Sequence, residues 1–276
     1  MTINRTATRA DLDEILNWAA QEGWNPGVDD ANAFFATDPE GFFVAENDDG
    51  TPIASISVVN HSADFSFLGL YLVRPDHRGK GIGYGLWKHA IAHAKGRTIG
   101  LDGVEAQQEN YIRSGFVHAG GTTRFTGDIR GVECGRARLA SPDDIPDLID
   151  REKRASGIAK PGYLREWFSN TPDRKTFLLA ELDGPCGFVT VRACRTGAKI
   201  GPLLAENEHV ARRLIMHAAA QFAGDITIDV PQPSDGLSMV CQQFDMAAGF
   251  KTARMYRGAF NTAEPEYFAV SSLELG

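Results

Sequence analysis

Residues 70–86 read LYLVRPDHRGKGIGYGL, and this stretch decides the fold. Its apolar start belongs to a run over 65–73 that predicts a strand, and Pro75 ends it because proline cannot donate to a central ladder. Four glycines follow, one at every second position, and a helical pattern begins at Leu86. A strand, a glycine-rich loop and a helix in this order are typical of α/β proteins that hold a phosphate group.

The loop has the chemistry of a pyrophosphate cradle. Glycine lets the backbone approach a ligand closely and adopt positive φ angles. The loop also leads into a helix N-terminus, where unpaired N–H groups and the helix dipole attract anions. Arg78 and Lys80 add positive charge. A glycine-rich turn without a ligand would only weaken the helix start, so we interpret the loop as a binding site.

Two common phosphate motifs do not match. The string GxxxxGK[ST] of P-loop proteins is absent. The dinucleotide string GxGxxG fails because its third glycine position falls on Tyr84 or on Leu86, depending on the starting glycine. The loop does fit R-x-x-G-x-G, with Arg78, Gly81 and Gly83.

With this loop the sequence resembles the GNAT superfamily of acyl-CoA-dependent N-acyltransferases, whose loop follows a strand ending in V-x-P, as in 73–75. The resemblance implies that acetyl-CoA is the co-substrate, and that the main chain of Leu72 and Val73 pairs with its pantetheine arm. It also implies a coenzyme-binding loop made of Arg78, Gly79, Lys80, Gly81, Ile82 and Gly83.

The resemblance extends to Tyr111, which precedes the pair Gly115-Phe116 as a tyrosine does in the family. It implies that Tyr111 lies near the coenzyme sulfur and acts as the general acid, because a phenol can protonate a departing thiolate. The alternative is a core tyrosine that packs under the turn at Gly115. Asn110 is implied as a coenzyme contact, with a solvent-facing helix residue as the equal alternative.

The second half of the chain repeats the first. Ala7-Thr8 with Asp11-Leu12 matches Ala140-Ser141 with Asp144-Ile145 at an offset of 133, and Gly115-Phe116 matches Gly249-Phe250 at 134. The repeat predicts a coenzyme-binding domain over 1–133 and a substrate-shaping domain over 134–276. With the resemblance, the expected fold class is mixed α/β (α+β): tandem GNAT-like domains, each with a central, mostly antiparallel mixed sheet flanked by helices.

The second copy has lost the residues of the site. At an offset of 128, the positions of Arg78 to Gly83 fall on 206–211, which contain no glycine and two glutamates that would repel a pyrophosphate. Aligning the two Gly-Phe pairs places Asp245 opposite Tyr111. We therefore expect one coenzyme site per chain, in the first half.

Composition excludes several other classes. The net charge of −8 and the lack of a basic patch argue against nucleic acid as a partner. No run of about 20 apolar residues predicts a membrane span, and no signal core precedes residue 10. The four cysteines form no CxxC pair and have no zinc spacing, so neither a metal nor a disulfide framework is expected. A cytoplasmic location is the resulting expectation.

The expected function is an N-acetyltransferase that passes the acetyl group of acetyl-CoA directly to a primary amine, most simply that of a small molecule. Two alternatives stay open: a non-catalytic acyl-CoA sensor and an acyltransferase for longer chains. Glu46, Asp64 and Asp102 are carboxylates near the first strands, and none is assigned as the general base. Exposed sheet edges are compatible with a homodimer.

Overall fold

The computed structural model describes residues 2–181, 184–261 and 265–276. Strands in the described ranges are β1 (Ile3–Thr6), β2 (Phe42–Glu46), β3 (Pro52–Asn60), β4 (Phe65–Val73), β5 (Thr98–Val104), β6 (Val117–Gly127), β7 (Ala137–Leu139), β8 (Arg174–Glu181), β9 (Gly184–Ala193), β10 (Ala198–Ala205), β11 (Ile226–Pro231), β12 (Ala247–Arg257) and β13 (Phe268–Ala269). The helices are α1 (Arg9–Gln21), α2 (Asp30–Thr37), α3 (Ile82–Ala90), α4 (Gln108–Arg113), α5 (Ile145–Ser156), α6 (Pro161–Phe168), α7 (Glu208–Ala219) and α8 (Asp235–Gln243).

The expected fold class is confirmed, and the two halves share one continuous mixed sheet. Its order is β1-β2-β3-β4-β5-β12-β6-β11-β10-β9-β8-β7, and β13 pairs with β10. One long strand of each half is exchanged: β12 lies against β5 of the first half, and β6 lies against β11 of the second. The two exchanged strands also pair with each other, so they form the middle of the sheet.

Helix starts confirm the internal repeat. Thr8 caps α1 and forms a reciprocal capping box with Asp11, as its sequence predicts. Ser141 and Asp144 form the same box before α5. The offset of 133 therefore relates equivalent backbone positions in the two halves.

The second half differs from the sequence alignment at the end of α8. Gly115 follows α4 with a φ of 87°, and the residue in that position after α8 is Asp245, with a φ of 55°. The amide of Phe116 donates to the Tyr111 carbonyl at 3.0 Å, and that of Met246 donates to the Cys241 carbonyl at 3.1 Å. The structural offset here is thus 130, and the predicted match of Gly249-Phe250 to Gly115-Phe116 is wrong.

The counterpart of Tyr111 is therefore Cys241, and the predicted Asp245 is wrong. Aspartate tolerates the left-handed conformation better than most residues, so the turn after α8 needs no glycine. Gly249 instead lies inside β12. Cys241 is fully buried, and burial raises the pKa of its thiol to about 12. The predicted loss of the tyrosine in the second half is nevertheless confirmed.

Side chains pack in three main cores. One lies under α3 in the first half, and one lies under α7 and α8 in the second. The third joins the halves, because α2 packs on α6 through rings such as Phe34 and Trp167, which stack with centroids 6.0 Å apart, and α1 packs on α2. No helix in the described ranges is long and apolar enough to cross a membrane.

Candidate active site

A cleft opens where β4 and β5 part. The two strands run parallel and pair only from Phe65–Thr98 to Leu68–Leu101. Just beyond, Leu70 has a φ of 46°, and the register of β4 against β3 shifts there. The Ser55 hydroxyl donates to the Leu70 carbonyl at 2.8 Å and holds this bulge in place. Residues 69–73 of β4 thus have no partner strand on the β5 side. Gly69, Leu70 and Tyr71 line the cleft, and Leu72 and Val73 line a neighbouring groove beside α1.

The glycine-rich loop leads from this edge into α3. Gly79 and Gly81 have φ angles of 75° and 76°, which other residues rarely adopt, and a Cβ at either position would meet no atom within 4 Å. Gly81 is the N-cap of α3, so the first N–H groups of the helix have no intrahelical acceptor. An open, donor-rich loop of this kind fits a pyrophosphate.

Gly83 and the two basic residues have other roles in the loop. A Cβ on Gly83 would lie 2.8 Å from the Tyr71 hydroxyl, so this glycine allows α3 to pack closely on β4. The guanidinium of Arg78 donates to the Val73 carbonyl at 2.9 Å and pairs with Glu22. The ammonium of Lys80 donates to the Asp76 carbonyl at 2.8 Å. Both basic side chains therefore brace the loop, and Ile82 begins the helix.

Tyr111 lies on α4 beside this loop and is 7% exposed. Its ring stacks on Trp87 with centroids 5.7 Å apart, and it lines both the cleft and a groove that continues to Tyr84 and Asn110. Burial, and to a smaller extent Tyr71, raises the pKa of the Tyr111 hydroxyl above its ordinary value, so the phenol is protonated at neutral pH. Tyr111 is thus both a core residue and a cavity residue.

Asn110 is exposed in that groove. Its amide donates to the Gln107 side chain at 2.8 Å, and its carbonyl oxygen accepts from Arg113. These bonds are local to α4, and the structure brings Asn110 into the groove and not into the cleft.

Both halves of the chain line the cleft. The first half contributes Trp24, Leu68, Gly69, Leu70, Tyr71, Leu101, Asp102, Val104, Gln107, Tyr111 and Arg124. Four residues from the second half also line the cleft: Phe250, Thr252, Leu273 and Glu274. The predicted substrate-shaping part of the chain therefore contributes a wall to the cavity that contains Tyr111.

The cleft contains buried charges, most of them paired. Asp102 accepts two hydrogen bonds from Arg254, at 2.9 and 2.7 Å. Arg124 donates to both oxygens of Asp229, at 2.7 and 2.8 Å. Glu274 is 4% exposed, and its Oε2 has no hydrogen-bond partner among the described residues.

Sequence reasoning missed Glu274. The sequence offered three other carboxylates as possible general bases. Glu46 pairs with Arg5 and Asp64 is exposed, so among these three only Asp102 lies in the cleft. Glu274 is one carboxylate in the segment LELG, and no periodicity or motif marks it. Its place in the cleft depends on a contact with a residue 205 positions earlier in the chain, where its backbone carbonyl meets Gly69.

The corresponding loop of the second half is built differently. Asn207 caps α7, and its side chain accepts the amide of Val210 at 3.0 Å. A helix N–H that would face a ligand is therefore already bonded. Glu181 and Glu206 line the groove beside it. The geometry and the charge both agree with a loop that no longer holds a pyrophosphate.

Comparisons with known proteins identify the same family in both halves of the chain. A model of the acetyltransferase (GNAT) family matches residues 9–116, and one of an acetyltransferase (GNAT) domain matches 148–269. The holothin acyltransferase of Pseudoalteromonas sp. (strain SANK 73390) is 36% identical over 280 residues, which cover 98% of this chain and 94% of that protein.

Solved structures share the fold. A candidate acetyltransferase from Pyrococcus horikoshii superposes with a TM-score of 0.83 at 18% identity, over 100% of this chain and 96% of that one. A tandem GNAT protein from the clavulanic acid biosynthesis pathway gives 0.65 at 14% identity, over 95% and 100%. With two GNAT matches in one chain and a curated acyltransferase relative along nearly its full length, this chain belongs to the GNAT superfamily of acyl-CoA-dependent N-acyltransferases, as a tandem-domain member.

Proposed function

We propose that this protein transfers the acetyl group of acetyl-CoA to the primary amine of a small molecule, by direct attack in a ternary complex. The observation that carries the proposal is the shared cleft. It joins the parted strands β4 and β5, Tyr111 and a wall from the second half in one cavity.

In this proposal the first half binds the coenzyme. The pyrophosphate lies over Gly79, Lys80, Gly81 and the start of α3, where the open loop and the helix N-terminus offer N–H donors. The pantetheine arm follows the edge of β4 at Leu72 and Val73 that β5 leaves without a partner. The thioester then reaches the cleft near the Leu70 bulge.

Tyr111 supplies a proton in the chemical step. The amine nitrogen attacks the thioester carbonyl, the C–S bond breaks, and its electron pair goes to sulfur. The protonated phenol of Tyr111 gives its proton to that thiolate.

The acceptor is proposed to be small because the second half contributes one wall of the cleft and so narrows the space beside Tyr111. Phe250 and Leu273 line the same cleft as Leu70 and Tyr71, and most of the cleft wall is apolar. The curated relative is named for acylation of holothin. We therefore propose holothin as the first acceptor to test.

We further propose that residues 1–133 form the coenzyme-binding part and residues 134–276 form the acceptor wall. The support is the location of the open loop in the first half and of Phe250, Thr252, Leu273 and Glu274 in the second. The exchange of β6 and β12 ties the two parts together in space.

Calorimetry with acetyl-CoA, followed by an assay of thiol release with holothin, tests the proposal. We expect one acetyl-CoA site per chain and thiol release that requires the amine. Two sites would contradict the assignment of the coenzyme to the first half. Binding without thiol release, over holothin and a panel of primary amines, would contradict an N-acetyltransferase.

A further inference from the structure

We propose that Glu274 is a catalytic residue that binds the acceptor as an ammonium ion and accepts its proton. This inference rests on the proposed transferase function and assigns the general base that sequence reasoning left open. It also narrows the acceptor to an amine that is cationic when it binds.

The first argument is the charge balance of the cleft. A buried carboxylate is unfavourable unless it is paired or hydrogen-bonded. Asp102 is paired with Arg254, and Asp229 with Arg124. Glu274 lies in the same cavity, and its buried Oε2 has no hydrogen-bond partner among the described residues. The charges of Lys199, Arg124 and Arg192 act on it, and the Lys199 ammonium donates to the Trp24 carbonyl at 2.7 Å. The unpartnered Oε2 is therefore the carboxylate atom of this cavity that can accept a hydrogen bond from an acceptor ammonium.

The second argument is position. The Glu274 carbonyl oxygen packs directly on Gly69, where an added Cβ would come within 2.0 Å of it. Gly69 precedes the Leu70 bulge at which β4 leaves β5. Glu274 is thus fixed at the point where the thioester and Tyr111 are proposed to meet.

The third argument is rigidity. The carbonyl of Leu275 accepts a hydrogen bond from the His61 ring at 2.8 Å, and its amide donates to the Ser272 hydroxyl at 3.1 Å. Lys160, which is 2% exposed, donates to the Gly276 carbonyl and pairs with Glu152. The backbone after Glu274 is therefore held on both sides, as a precisely placed base requires.

The step balances as follows. The ammonium R–NH3⁺ gives one proton to the Glu274 carboxylate and becomes a neutral amine. Its lone pair forms the C–N bond, the C–S bond breaks, and Tyr111 protonates the thiolate. The nitrogen loses a second proton to solvent and keeps the third as the amide N–H, while the phenolate regains its proton from solvent and Glu274 releases its own.

The remaining walls indicate the body of the acceptor. Trp24, Tyr71 and Phe250 present aromatic surface, and Leu101 and Leu273 present aliphatic surface. An ammonium group on a compact, flat apolar body satisfies both the carboxylate and these walls. 2-Phenylethylamine has this chemistry and serves as a probe beside holothin.

The test compares the wild type with Glu274→Gln, which keeps the shape and removes the charge. The matched control is Glu266→Gln, a carboxylate in the same C-terminal segment that does not line the cleft. We expect Glu274→Gln to lower kcat/KM at neutral pH by about 10²–10⁴-fold, with acetyl-CoA affinity unchanged. The loss should shrink as the pH rises and free amine becomes available from solution, and Glu266→Gln should match the wild type.

An equal loss of kcat/KM at every pH would mean a structural role and would overturn the proposal, as would wild-type activity in Glu274→Gln. Binding of 2-phenylethylammonium to the CoA-saturated protein gives a readout that does not need turnover. If the wild type binds the probe and Glu274→Gln does not, the ammonium site is supported. This holds even if no acetyl group is transferred, and in that case only the transferase proposal fails. Absence of binding to the wild type, or equal binding to both proteins, overturns the inference.

Discussion

Gly81 is the residue at which the coenzyme loop is most sensitive to substitution. It combines a φ of 76° with a position at the N-terminus of α3. We expect Gly81→Asp to abolish acetyl-CoA binding in calorimetry, because a carboxylate there repels a pyrophosphate and the side chain strains the turn. Gly50 has a φ of 82°, also with open space around it. Gly50→Asp therefore introduces the same strain far from the site and should keep wild-type affinity; equal losses would contradict the cradle.

Tyr111 allows a second test with one atom removed. We expect Tyr111→Phe to lower kcat by about 10²–10⁴-fold while acetyl-CoA affinity stays close to that of the wild type, because the ring still packs on Trp87. Tyr267→Phe removes a hydroxyl near Gly236 in the second half and should leave kcat unchanged. If Tyr111→Phe loses affinity and turnover together, its role is structural.

Single residues differ in how far the sequence predicts them. The cap at Thr8 and the positive φ at Gly115 both follow from local chemistry, since threonine favours the N-cap and glycine the stop after a helix. Asp245 is misplaced by the sequence because the pair Gly249-Phe250 imitates the pattern four residues too late. Glu274 could not be found, because its importance comes from contacts that only the folded chain makes.

Among the elements, β4 has one feature that the sequence predicts and one that it does not. Its limits match the predicted run over 65–73, because an apolar run bounded by a turn and a proline is a strong local signal. The bulge at Leu70 could not be predicted, since leucine disfavours a positive φ. Tertiary contacts such as the Ser55 bond impose it.

The segment 268–276 is anchored by a buried histidine whose titration can be measured. Burial, with a further contribution from Lys160, lowers the pKa of His61 to about 3. The unfolded chain takes up this proton below about pH 6.5, so between about pH 6.5 and pH 3 the unfolded state binds more protons and stability falls as the pH falls.

His61→Gln keeps an amide donor for the Leu275 carbonyl and cannot titrate in this range. We expect the free energy of unfolding of the wild type to fall more steeply on acidification than that of His61→Gln, by up to about 1.4 kcal/mol per pH unit. Urea unfolding at a series of pH values from 7 to 4 measures the difference. Parallel curves would show that His61 is accessible to protons in the folded state.

The whole molecule is organised by the strand exchange, and each exchanged strand carries an arginine opposite an aspartate. Arg124 on β6 faces Asp229 on β11, and Arg254 on β12 faces Asp102 on β5. The repeat in the sequence predicts two similar halves but not this pairing. Local sequence patterns determine where the strands lie in the chain. They do not determine whether β5 pairs with β6 or with β12, nor which of these two strands pairs with β11.

Arg254→Met tests how much the exchange depends on such a pair. We expect it to lower the free energy of unfolding by about 3–5 kcal/mol, because Asp102 is left buried without its partner. The double variant Arg254→Met with Asp102→Asn should recover part of the loss in urea unfolding. Arg9 pairs with Asp13 on the surface, and Arg9→Met should change stability by less than about 1 kcal/mol. Similar losses for Arg254→Met and Arg9→Met would mean that the buried pair contributes no more than a surface one.

The exchange also sets the order of events on the ribosome. About 120 residues separate Gly127 at the end of β6 from Ala247 at the start of β12, which corresponds to roughly 6–24 s of synthesis at 5–20 residues per second. During that interval β5 has emerged from the ribosome, but β12, which is its neighbour in the finished sheet, has not yet been synthesised. The edge of β5 that β12 covers in the finished sheet must therefore stay open, or be covered by another strand, until β12 has been synthesised.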